Sequence, residues 1–234
     1  STVERLNPKT TPEKMSSSDA YPRKHIETCV EEFGHGYRKT VQDIISRSQP
    51  GLTRDIFFQN VAQLMPNFKM TRRGCFNGVK YEQRHVQDPN GQIAACWAAC
   101  GQAVLQIRTF LAQQNINRRR ILVDMPAHSR GQVIINLRRA FNLLIPVCMG
   151  KVVNGLVGTS KVFFAVLPEI SLPVDTTQWR KVFKTNDYGD IITLMADEIM
   201  AWEAQTGYSL DSCDPSPDST LPSIYNVMAM KARP

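Results

Sequence analysis

A chain of 234 residues with 42% hydrophobic and 21% charged side chains holds enough apolar material for a substantial core, which excludes wholesale disorder. Its formal charge of +7 is unevenly placed: residues 68–184 carry 17 Lys/Arg against 5 Asp/Glu, whereas residues 185–230 carry 8 acidic side chains and no Lys or Arg. A basic centre points to a polyanion partner, and an acidic end to a complementary surface within the chain or on a neighbouring subunit.

The most apolar stretch, Ile93 to Leu111, is interrupted by Gln102, Gln106 and Arg108. It falls short of the roughly 18 uninterrupted apolar residues of a membrane helix, so no membrane partner is expected. The first 25 residues are polar, contain Pro8, Pro12 and Pro22, and do not read as a signal peptide. Cys29, Cys75, Cys96, Cys100, Cys148 and Cys213 lack the spacing of a secreted scaffold, and read as reduced thiols of a cytosolic or nuclear protein.

In chain order, residues 1–22 predict an N-terminal arm dominated by Ser, Thr, Pro and Lys. Ile26, Val30, Phe33, Tyr37, Val41 and Ile44 recur at helical spacing, with Gly34 and Gly36 bending or splitting the helix. Thr53 is placed to cap a second helix with Phe57, Val61, Leu64 and Phe68 on one face, and Pro66 marks its end. The irregular stretch 69–91 leaves room for a hairpin between Gly78 and Val86. Ile93, Trp97, Cys100, Val104, Ile107 and Leu111 form the strongest helical stripe, and another helix is expected from about Arg130 to Ile145, ending before Pro146.

Glycines at 150, 155 and 158, followed by the β-friendly run Lys161 to Leu167, predict a loop with one strand or buried extended segment. Asp190 to Gln205 returns to helix, with Gly207 as its stop. Residues 208–234 hold four prolines and a few apolar anchors, and read as a C-terminal arm. The expected fold is therefore mainly α: a helical core over 23–207, a minor extended or β segment, and arms at 1–22 and 208–234.

Three clusters of basic residues are the candidate polyanion site. The first is Lys69, Arg72, Arg73, Lys80 and Arg84, with Phe68, Phe76 and Tyr81 interleaved. Guanidinium groups grip phosphates bidentately and exposed rings stack on bases, so such a mixture suits a single strand. The second is Arg118, Arg119 and Arg120; the third is Arg130, Arg138 and Arg139, with Lys151 beyond. Neither metal nor cofactor is expected: Cys96 and Cys100 stand one turn apart on an alanine-rich helix without a CxxC or HxxxH partner. The glycines at 150–158 lack dinucleotide-site spacing. His25, His35, His85 and His128 belong to no nucleophile, Walker or HExxH motif, so no enzymatic activity is expected.

The segments Ile26-Glu-Thr-Cys-Val-Glu-Glu-Phe33, Val41-Gln-Asp-Ile-Ile45 and Gln92-Ile-Ala-Ala-Cys-Trp-Ala-Ala-Cys100 contain local echoes of viral nucleoproteins. The arm–core–arm organisation resembles helical viral coat proteins and nucleoproteins, of the flexuous plant-virus or the phlebovirus and tenuivirus kind. That resemblance implies a capsid protein of the virion and host cytoplasm. It would bind single-stranded RNA along a basic groove and form a homo-polymer through residues 1–22 and 208–234. A non-polymerising RNA-binding regulator of the silencing-suppressor type, or a matrix-like shell component, would share many of these features.

Overall fold

Apolar side chains three and four residues apart set most of the architecture. The computed structural model describes residues 22–33, 35–149, 155–175 and 182–229. Nine α-helices and one two-stranded sheet lie among them, giving a mainly α fold. No helix among the described residues is long and apolar enough to cross a membrane. The arm expected at 1–22 lies, Pro22 apart, outside the described residues.

The first helical stripe is split into α1 (Arg23–Glu32) and α2 (His35–Arg47). The Thr53 hydroxyl accepts from the Ile56 amide and starts α3 (Arg54–Leu64). Its end tightens into a 3-10 turn, Met65–Phe68, with Pro66 in the first turn. Strands β1 (Lys80–Glu82) and β2 (His85–Gln87) form an antiparallel hairpin with Tyr81 opposite Val86. Asp88 accepts from the amides of Ile93 and Ala94, satisfying the first turn of α4 (Gln92–Gln113). The short α5 (Ile121–Asp124) leads into α6 (Ala127–Cys148). This helix runs antiparallel to α4: Gln92 Nε2 donates to the Val147 carbonyl at 2.8 Å, and Cys96 Sγ lies 4.0 Å from Cys148 Sγ.

Three sequence expectations change. Pro146 does not end α6, which runs on to Cys148; the proline ring is exposed and its missing N–H removes only one bond near the helix end. The run expected to be extended is α7 (Leu156–Val166), a helix buried on every side from Gly158 to Val166. A helix enclosed all round has no polar face, so its β-branched and aromatic residues carry no helical period. Gly155 begins it at φ +78°, where a Cβ would meet the Ile145 carbonyl oxygen at 2.5 Å.

The third change concerns the C-terminal arm. After α8 (Tyr188–Thr206), capped by Asp187 and closed by Gly207, the chain forms a 3-10 turn, Leu210–Cys213. It then enters α9 (Leu221–Val227), which opens on a Thr220/Ser223 capping box. Leu210, Leu221, Ile224 and Tyr225 are buried among the core residues. Residues 208–229 are thus an integral layer of the fold, because their apolar anchors find partners on α1 and α8.

Helix α7 sits at the centre, against α2, α3 and α6, and the hairpin lies on α3. Burying each of Val162, Phe163, Phe164 and Val166 contributes about 1.5–3 kcal/mol relative to exposure. Asn60 is the polar pin of this centre. It donates to the carbonyls of Ile44 (3.1 Å) and Ala165 (2.9 Å) and accepts from Arg47 (2.7 Å), so its amide is satisfied although buried.

Candidate nucleic-acid interface

The loop between α3 and α4 is braced from within. Phe76 and Val79 are buried, Met70 packs against the core, and the Gly78 amide donates to the Thr71 carbonyl at 3.0 Å. On this support Lys69, Arg72, Arg73, Lys80 and Arg84 are all exposed. None of the five makes an ion pair among the described residues. The nearby acids offset them little: Asp88 is committed to the α4 terminus, leaving Glu82 exposed on β1. Lys69, Gln83 and Arg84 adopt positive φ (59°, 49° and 64°). Left-handed backbone at a non-glycine residue costs of order 1 kcal/mol, and the hairpin turn holds two such residues in succession.

The interleaved rings expected to stack on bases have other roles. Phe76 is a core residue. Phe68 is half-buried beneath the Lys161 ammonium, 4.6 Å from its ring centre, and Tyr81 is covered by the Arg47 guanidinium at 5.1 Å. Lys161 is itself buried, 3.9 Å from Met70 Sδ, and burial pushes its ammonium down to about 8, against the opposing pull of Asp175.

The second cluster turns inward. Arg118 pairs with Glu169 and donates to the Ile45 carbonyl (2.7 Å) and to Ser48 Oγ (2.5 Å). Arg108 takes the other oxygen of Glu169. Burial pushes the Glu169 carboxyl up, but the two guanidiniums outweigh it and hold the group below its ordinary value. Arg119 donates to the carbonyls of Asp211 (3.1 Å), Asp214 (2.6 Å) and Ser219 (3.2 Å) and to Ser219 Oγ. Arg120 bridges Asp124, Glu203 and Asp211 at 2.6–3.1 Å.

The third cluster is divided. Arg130 donates to the carbonyls of Val123 and Met125, and Arg138 pairs with Asp187 (2.9 Å) and Asp190 (3.5 Å). Gly189 makes room for that guanidinium, since a Cβ there would lie 2.5 Å from it. Arg139 is exposed on α6, with no ion pair among the described residues. The acidic end thus meets basic residues inside the chain, through Asp187, Asp190, Glu203 and Asp211.

The three clusters do not line one continuous groove of free cations. The structure nevertheless brings the hairpin and Arg118 to one turn: Arg47 covers Tyr81, and Ser48, the next residue, accepts from Arg118. In the sequence Arg108 stands only as an interruption of an apolar helix. Its signal was that interruption, a single charge on an otherwise apolar stripe. The cysteines are free thiols, with Cys96 against Cys148, and among the described residues no group of three or more His, Cys, Asp or Glu is arranged to hold a metal. Comparison of the chain with protein-family models, with curated proteins and with solved structures finds no match.

Proposed function

We propose that the chain is a viral nucleocapsid structural protein that binds single-stranded RNA without reading its sequence and associates with copies of itself. One observation carries the RNA reading: five exposed cations, free of ion pairs among the described residues, stand on the braced loop 69–87. Backbone held in strained conformations at the cations Lys69 and Arg84 supports it, because such strain concentrates at binding elements. Arg139 adds a further exposed cation with no ion pair among the described residues, whereas Arg118, Arg119, Arg120, Arg130 and Arg138 act in this reading as structural ties. Ile135, Arg139 and Leu143 form one exposed stripe on α6, with Leu143 55% accessible, and supply contact surface for a second copy.

The experiment is RNA binding across a salt series. Each phosphate neutralised on a single strand contributes about 0.7 to the slope of log affinity against log salt. Arg72→Glu with Arg73→Glu is expected to lower affinity at least tenfold and flatten that slope, with an unchanged melting temperature. An unaltered slope would remove the loop from the interface. Self-association is tested by electron microscopy and chromatography of a variant lacking residues 1–21. Loss of assembly with a retained fold supports the arm; normal assembly refutes it.

A further inference from the structure

Between the end of α2, the C-terminal half of α4 and the loop before α5 lies a cleft of about 510 Å3. Its volume falls within the roughly 300–1,000 Å3 of clefts that hold small ligands. Glu169 lies at its floor, buried between the guanidiniums of Arg108 and Arg118. Two cations on one carboxylate leave the floor with a surplus positive charge.

The two arginines differ in what they have left to give. Arg118 spends Nε, Nη1 and Nη2 on Glu169, Ile45 and Ser48. Arg108 spends only Nη1, on Glu169. Its Nε and Nη2 make no hydrogen bond among the described residues, and neither is an enclosed atom without a partner. Both therefore keep some solvent contact, and Arg108 lines the cleft, which offers it a planar pair of donors of the kind that takes phosphate bidentately. Beside them Leu52 and Leu111 supply an apolar wall, suited to the face of a flat ring. Gln49 and Asn115 line the rim with amides, which pair with the edges of bases, while Asn117 beside them spends its oxygen on the Arg119 amide. Asn115 is held there at φ 52°.

We propose that this cleft is a nucleotide site: the Arg108 fork binds the phosphate and the aliphatic wall and amide rim hold the base. The inference goes beyond the reading of loop 69–87 and does not rest on it, since no loop cation lines the cleft. The same chemistry is offered by a free nucleoside monophosphate and by the 5′-phosphorylated end of an RNA strand.

The test is isothermal titration of the full chain with AMP, with inorganic phosphate and with a 5′-phosphorylated RNA hexamer. Arg108→Gln empties the fork while Arg118 still pairs with Glu169. Ala112→Trp fills the cleft from an exposed position on α4 and leaves the charges intact, so it decides the matter if R108Q fails to fold. Saturable 1:1 binding of AMP, weakened at least tenfold in either folded variant, supports a free-nucleotide site. Hexamer binding that survives Arg72→Glu/Arg73→Glu but falls tenfold in A112W supports a strand-end site and remains informative if the loop reading fails. Phosphate binding as tightly as AMP would overturn the role given to the wall and rim. Absence of AMP and hexamer binding at millimolar concentration, or binding unchanged in both variants, would overturn the site.

Discussion

Asn60 and Lys161 are both polar and both buried at the centre of the fold, yet only one is fully matched. Asn60 serves two carbonyls and one guanidinium. Replacing it by Leu strips the Ala165 carbonyl of its donor and Arg47 of an acceptor, while the Ile44 carbonyl keeps Ser48, and a loss of about 1–3 kcal/mol is expected by urea denaturation. Lys161 has a ring and a sulfur for company instead. Its folded-state value near 8 lies below that of an unfolded lysine, about 10.4. Between those values the unfolded chain binds the extra proton, so this group makes stability rise with pH across that window. Lys161→Met is expected to remove that rise, on the order of 2 kcal/mol, in midpoints compared at pH 7.5 and pH 10. An unchanged slope in Lys161→Met would show that the ammonium stays charged in the fold. Neither role was legible beforehand: a basic letter in a sequence does not say whether its partner is water, a ring or a carboxylate 51 residues away, as it is for Arg118.

Among the elements, those with one wet face were readable. The stripes of α3 and α4, the Thr53 cap and the Gly207 stop all follow from side chains that divide core from solvent. Helix α7 was not, because total enclosure erases the polar half of the pattern and leaves β-branched and aromatic residues that also suit a strand. The hairpin was anticipated, though not its turn. Gln83 and Arg84 occupy the two left-handed positions that Asn-Gly would fill without strain. Gln83→Asn is expected to stabilise the chain by roughly 0.5 kcal/mol, since Asn tolerates that backbone. Arg84→Gly should relieve strain too but, on the proposed RNA reading, weaken binding by removing a loop cation. A gain of affinity in R84G would mean that the turn, not its charge, limits binding.

For the whole molecule, the charge split reads differently once folded. The acidic end is bound to the basic centre through Arg120 and Arg138, and to α2 through Arg38, which meets Asp214 at 3.1 Å. The split was plain in the sequence, but whether it closes within one chain or between two depends on long-range geometry that composition does not encode. The consequence for stability is direct. Deleting residues 208–234 removes Leu210, Leu221, Ile224 and Tyr225 from the core and strips Arg119 of its acceptors. The truncated chain is expected to lose cooperative unfolding, judged by circular dichroism during heating. A folded, truncated core would show that this layer is dispensable.

Arg119 fastens that layer mainly by three backbone oxygens, with one serine hydroxyl as its side-chain partner. A buckle that grips the strap rather than its pattern is indifferent to most of what is written on it. Side chains between Asp214 and Ser219, apart from Ser216 whose hydroxyl accepts from Gln42 and the Asp218 amide, can therefore drift, provided the path keeps its length. Adding or removing one residue there would shift the holes out of line, making this segment tolerant of replacement and intolerant of insertion.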